Sequence, residues 1–201
     1  MTSNFTSANS FPFEFAPSST QDRDLLHQLN FVPGVKEILM TRQVHALEHA
    51  SVWVLSEESA TPAQEDRLGG MSTAEGFYLY GSVRTSQLRQ AVQVAQHRLT
   101  RGEWNLAVHP RCGTNLSVGM LLTGGIAMGI HLALPKGPLE QLLGLGVAAG
   151  VATQVAPELG SWAQQYLTTA IPFNLEVDDV SIVQDWWGRS AHFVKVHWVE
   201  S

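Results

Sequence analysis

The chain has 201 residues, of which 44% are apolar and only 15% charged. Soluble domains usually carry ~25% charge, so much of this surface is not built to face bulk water. A net charge of −6 with no Lys/Arg cluster excludes a nucleic-acid footprint, and the single cysteine, Cys112, excludes an internal disulfide.

The length allows one substantial core with an appendage. Residues 1–22 are rich in Ser, Thr, Asn and Pro, with Phe5, Phe11, Phe13 and Phe15 interspersed, and read as a disordered lead-in. No Lys or Arg precedes Arg23, so the start does not read as a secretory signal. A short helix is expected over 22–30, ended near Pro33-Gly34.

Residues 35–55 then run without Gly or Pro and predict a longer helix. At 100° per residue His45, Glu48, His49 and Val52 share one face. Val44, Ala46, Leu47, Ala50, Trp53 and Val54 make the rest of that surface apolar, which is the pattern of a buried helix. Two imidazoles and a carboxylate in such a place need partners. His residues at i and i+4 stand roughly 5–6 Å apart at Cβ, so both rings can meet one ion. H-x-x-E-H is also the inverted zincin arrangement, in which the Glu beside the second His serves as general base. The plainer reading is a pair of hydrogen-bonded core histidines with Glu48 holding one of them.

A loop is expected over 57–76, which is acidic and holds Pro62 and Gly69-Gly70. Gly76-Phe77-Tyr78-Leu79-Tyr80-Gly81 reads as a strand, 86–100 as a helix, and Trp104-Asn105-Leu106-Ala107-Val108-His109 as a second strand. Strand, helix, strand at this length predicts a βαβ unit with parallel strands. His109 would then lie at the carboxyl end of its strand, where open α/β sheets carry their sites. His109 and Cys112, three apart around a Pro-Gly turn, are spaced like a metal-ligand pair. Thr114 or Asn115 would cap a following helix, leaving Cys112 near its positive end, which favours the thiolate. An ordinary turn with an inert cysteine is the alternative.

From 114 to 161 the only charged residues are Lys136, Glu140 and Glu158. Two uncharged runs, 117–134 and 142–156, are joined by a turn at Lys136-Gly137-Pro138. Gly125-x-x-x-Gly129 and Gly146-x-x-x-Gly150 give each a small-residue stripe of the kind that lets helices approach closely in lipid. Each Gly would cost roughly 0.8–1 kcal/mol in a water-soluble helix, so a membrane hairpin is preferred. A hairpin buried against the sheet of a cytoplasmic protein is the alternative, since the second run is shorter than the ~20 residues that span a bilayer. His131 reads as an interfacial or packed residue. Strands are expected over 175–184 and 191–199, with His192, Val194, Val196 and Trp198 on one face and His197 on the other. The Trp186-Trp187 turn between them suits either a membrane interface or the core.

The organisation expected is a disordered lead-in over 1–22, an α/β domain with the metal site over 23–113, an apolar hairpin over 114–170, and C-terminal strands over 171–201 that complete the domain. The fold class is α+β with an α/β-like βαβ core, a small sheet and a buried histidine-bearing helix.

His45-Ala46-Leu47-Glu48-His49-Ala50 paired with His109-Pro110-Arg111-Cys112-Gly113-Thr114-Asn115 resembles bacterial families of unknown function. Their signature is an H-x-x-E-H helix followed by H-P-x-C-G-T and an apolar, membrane-like segment. Phe77-Tyr78-Leu79-Tyr80-Gly81 also looks like one of them, and the resemblance covers about residues 35–135. It implies a membrane-associated protein with a metal site and brings no activity with it.

Three functions follow as expectations. A membrane-anchored zinc hydrolase would use His45, His49 and His109 as ligands and Glu48 as general base. A structural or assembly protein would close the site with Cys112 as fourth ligand. A cysteine-dependent enzyme would use Cys112 as nucleophile with a histidine as base. The expected partners are membrane lipid and a second copy docked through the small-residue helices, with no nucleic acid and the substrate open. The soluble part should face the cytoplasm.

Overall fold

The computed structural model describes residues 17–58, 68–133 and 137–200. Residues 1–16 of the lead-in expected over 1–22, most of the acidic loop and Lys136 at the hairpin tip lie outside these residues, while Gln21 and Asp22 of that lead-in already belong to the first helix.

Helix α1 (Gln21–Gln28) and helix α2 (Val35–Glu58) come first, then strands β1 (Gly69–Thr73) and β2 (Gly76–Tyr80) and helix α3 (Thr85–Thr100). A 3-10 turn (Trp104–Ala107) leads to the long helices α4 (Gly113–Ala133) and α5 (Pro138–Ala163), the latter ending in a π-helical turn (Gln164–Thr168). Strands β3 (Leu175–Gln184) and β4 (Ser190–Trp198) finish the chain.

The four strands form one sheet in the order β1-β2-β4-β3, with every neighbouring pair antiparallel. Phe77, Leu79, Val180, Val194 and Val196 from the sheet pack with Leu47, Val54, Leu88, Val92 and Leu99 from α2 and α3 in one core. Helix α2 is buried because the residues between its polar positions are apolar all round, so it can touch strand, helix and turn at once. Buried Gln43 on α2 donates to Asp22 at 2.7 Å and accepts from the Asn174 amide at 3.1 Å, tying α1 and the approach to β3 to this helix.

The α+β class stands, but the βαβ unit within it does not. Trp104–Ala107 is a 3-10 turn, not a strand. Its main-chain carbonyls are taken by side chains of α2: Trp53 Nε1 donates to Val108 O at 3.0 Å, and His49 Nδ1 to Ala107 O at 2.7 Å. A segment whose acceptors are satisfied this way gains nothing from a ladder. The neighbours of β2 are β4 and β1, and β1 falls inside the region expected to be loop. It was hidden because its sequence, Gly69-Gly70-Met71-Ser72-Thr73, has neither alternation nor a usual hairpin dipeptide after it.

Helices α4 and α5 pack on each other as a hairpin tied to the domain, among the described residues, at its base. No residue of α4 is buried, and Leu121 and Leu132 are 77% and 79% exposed. The hairpin is therefore not covered by the sheet. Helix α5 also runs well past the short apolar stretch, so both helices are long and apolar enough to cross a membrane. The seam between the two helices does not use the glycine stripes. A Cβ at Gly125, Gly129, Gly146 or Gly150 would meet nothing, whereas one at Gly144 would run into Ile130 and one at Gly160 into Asn115. The two glycine stripes face outward, and Gly144 and Gly160 make the close approaches.

At the base, Arg42 of α2 donates to Tyr166 O at 3.4 Å and Thr169 O at 3.1 Å, and Gln164 donates to Asn115 at 2.7 Å. The two ends of the hairpin are thus fastened to each other and to α2.

Candidate metal centre

One turn of α2 separates His45 from His49, and their ring centroids lie 4.3 Å apart. Each ring is held by a carbonyl from a different part of the chain: His45 Nδ1 is 3.0 Å from Thr168 O, and His49 Nδ1 is 2.7 Å from Ala107 O. A carbonyl only accepts, so Nδ1 carries the proton in both rings and Nε2 keeps the lone pair. This is how metal-binding histidines are oriented, by an outer acceptor that fixes tautomer and ring angle.

The Cys112 sulfur completes the group. His45 Nε2 is 3.2 Å from Sγ, and the ligand atoms of His45, His49 and Cys112 all lie within 4.8 Å of one another. Sγ also accepts from the Thr114 amide at 3.4 Å. The cysteine itself therefore satisfies the start of α4, in place of Thr114 or Asn115; Asn115 instead reaches back to Pro110 O at 2.8 Å. Burial pushes the thiol up, but the neighbouring His49 imidazole and the two Thr114 donors outweigh it and bring it below its ordinary value.

His109 stands one ring further out, with its centroid 5.7 Å from His49 and 5.0 Å from Trp53. It lies in a turn and not at a strand end. Its amide donates to Gln164 Oε1 at 2.8 Å, and its Nδ1 accepts from the Arg111 amide at 3.3 Å. Nε2 then carries the proton, is buried, and has no hydrogen-bond partner among the described residues. Burial first, with His49 and the Arg111 guanidinium nearby, lowers its pKa to about 4, so the ring is neutral at ordinary pH. Of the four expected ligands, the structure brings three into one group and leaves His109 as the wall beside them.

Glu48 is 8% exposed, and Ser72 Oγ donates to its Oε2 at 2.6 Å. Burial raises its pKa, with the Ser72 hydrogen bond and the neighbouring His45 pulling the other way. Gly70 lies against the same carboxylate, and a Cβ there would run into Oε1. Ser72 and Gly70 escaped the sequence reading because β1 did. A cavity of about 690 Å³ opens over His45, Glu48, His49, Cys112, Gly70 and Ser72, within the range of small-ligand sites.

The other histidines are placed as their surroundings require. His192 is buried at the sheet, 3.0 Å from Thr85 Oγ1, His197 is solvated and 2.6 Å from Asp178, and His131 is 2.8 Å from Gln141.

A family model described as a domain of unknown function, DUF6391, matches residues 40–180. The chain belongs to this family. The matched DUF6391 span holds the whole centre, from His45 through Cys112 to Thr168, together with the hairpin. An uncharacterized protein of Picosynechococcus sp. is 50% identical over 192 residues, which is 93% of this chain and 94% of that relative. No solved structure matches the chain.

Proposed function

We propose that this DUF6391 protein is a membrane-anchored zinc hydrolase, with His45, His49 and Cys112 as ligands and Glu48 as general base. The observation that carries this reading is the convergence of two carbonyl-oriented imidazoles and the Cys112 sulfur on one point beside a buried carboxylate. Two neutral nitrogens and a thiolate suit zinc, and three protein ligands leave the fourth position open. Zinc there would act as a Lewis acid toward a substrate carbonyl and water. Glu48 would accept the proton of the attacking water, a task helped by the upward shift that burial gives it.

Anchoring by α4 and α5 supports the same reading. At 1.5 Å per residue, the 21 residues of α4 are about 31 Å long, near the ~30 Å of a bilayer's hydrocarbon core. Water would meet Leu121 and Leu132 almost bare, and lipid would cover them. Cys112 immediately precedes the first span and Thr168 ends the second, so the centre would sit in the headgroup layer. Both flanks would be cytoplasmic by the positive-inside rule, since Arg98, Arg101 and Arg111 precede the hairpin.

A second reading makes Cys112 the nucleophile and His45 its base, favoured by their 3.2 Å contact. Metal analysis of the detergent-purified protein separates the two. About one zinc per chain that is lost in Cys112→Ser supports the zinc centre. A metal-free protein with a Cys112 that reacts rapidly with an alkylating agent supports the nucleophile.

A further inference from the structure

Strand β1 lines the same cavity as the metal centre, and it lies at the end of the sheet, paired only with β2 among the described residues. The hydrogen-bond parity shows which of its groups remain unpaired. Val196 N donates to Glu75 O at 3.0 Å, so the bonded pairs between β2 and β4 include Phe77 with Val194, two residues on. Gly76 and Tyr78 must then turn their N–H and C=O groups toward β1, where Thr73 and Met71 stand opposite them. Gly70 and Ser72 are left directing N–H and C=O outward, and they are the two residues whose other side meets Glu48.

Sheet edges are normally blunted by Lys, Pro, a bulge or a covering element. The edge here is Gly69-Gly70-Met71-Ser72-Thr73, and a side chain at Gly69 would have met nothing. Among the described residues, nothing pairs with this row of main-chain donors and acceptors where it passes the carboxylate. We infer that the substrate is an extended polypeptide segment, which adds to the sheet as a strand along the outer edge of β1. An extended chain offers N–H and C=O groups at the two-residue repeat that Gly70 and Ser72 present, and neither a lipid nor a sugar does. The inference rests on the hydrolase reading and names its substrate class. The reaction is peptide hydrolysis: water oxygen bonds to the carbonyl carbon, and its proton passes to Glu48. Glu48 returns the proton to the amide nitrogen as the C–N bond breaks, and the second water proton passes from the new carboxylic acid to the same nitrogen, leaving a carboxylate and an ammonium group.

The test uses the full chain in detergent micelles, its zinc content measured first, with a randomised ten-residue peptide library as probe. Cleaved members are identified by mass spectrometry, and one is remade with a single N-methyl amide at each position in turn. Strand addition predicts a period of two: methylation at alternate amides should lower kcat/KM by about tenfold, the worth of one hydrogen bond, with less than about twofold at those between. A flat profile, or no cleaved peptide from protein that holds its zinc, overturns the edge-strand inference and leaves the metal centre standing. Protein that holds no zinc overturns both.

Discussion

His45 Nε2 and Cys112 Sγ stand 3.2 Å apart although 67 positions separate them in the chain. They meet because the buried face of α2 is laid against the turn that starts α4. The same closure sets His45 against Thr168 at the end of α5. The centre is thus shared by the domain and both ends of the hairpin, and its loss should be felt in each.

Removing a ligand should remove the metal. Cys112→Ser and His49→Ala should each weaken zinc binding by more than the ~10–100-fold that loss of an outer partner costs. His109→Ala should leave about one zinc per chain, because its ring lies outside the converging group. Elemental analysis and chelator competition measure both. Zinc lost with His109 would add that residue to the ligands and close the site.

Glu48→Gln should leave zinc and fold in place while turnover falls by about 10²–10⁴-fold. The pH dependence of the metal-free protein gives a second check. Burial raises the Glu48 pKa in the folded state, so the native protein binds more protons than the unfolded chain between the ordinary and the raised values. Stability is therefore lost as pH rises through that window. Gln cannot ionise, so the variant's melting temperature should match wild type in acid and overtake it toward neutral pH. An advantage that shrinks as pH rises would show that the carboxylate is stabilised as the anion.

Gly70→Ala would place a methyl group against the Glu48 carboxylate, where Ser72 holds it from the other oxygen. The expected cost is about 1–3 kcal/mol of stability, with zinc retained and turnover reduced. Denaturant unfolding with metal analysis checks it. An unchanged variant would mean that the carboxylate has room to move.

The hairpin makes two predictions that one set of variants reads. In a Cys112→Ser background, Gly137→Cys at the tip should be labelled by a membrane-impermeant maleimide from outside intact cells, and the protein should need detergent for release. Within the hairpin, Gly144→Leu should destabilise and Gly146→Leu should not, because only the first meets the facing helix. Equal effects would put the seam elsewhere.

Much of this was legible in the chain itself. The apolar surround of His45, Glu48 and His49 fixes α2 as a buried helix whose polar residues must find partners, since burial without them is costly. The charge-free runs fix two long helices, and the alternation about Val194 fixes β4. These are local patterns, carried by residues within one turn or one pleat of each other.

Tertiary structure decided the rest. Residues 104–109 look like a strand by composition, but side chains of α2 take their carbonyls, and no strand pairs with them. Strand β1 carries no pattern and exists because β2 offers it an edge. His109 and Cys112 are equally plausible ligands by spacing, and only the angle at which the turn meets α2 brings the sulfur in and leaves the imidazole outside. The hairpin glycines divide in the same way: Gly144 and Gly160 make the close approaches while both stripes face outward, which depends on helix rotation and not on spacing. Periodicity shows that a face exists, and long-range contacts decide what it meets.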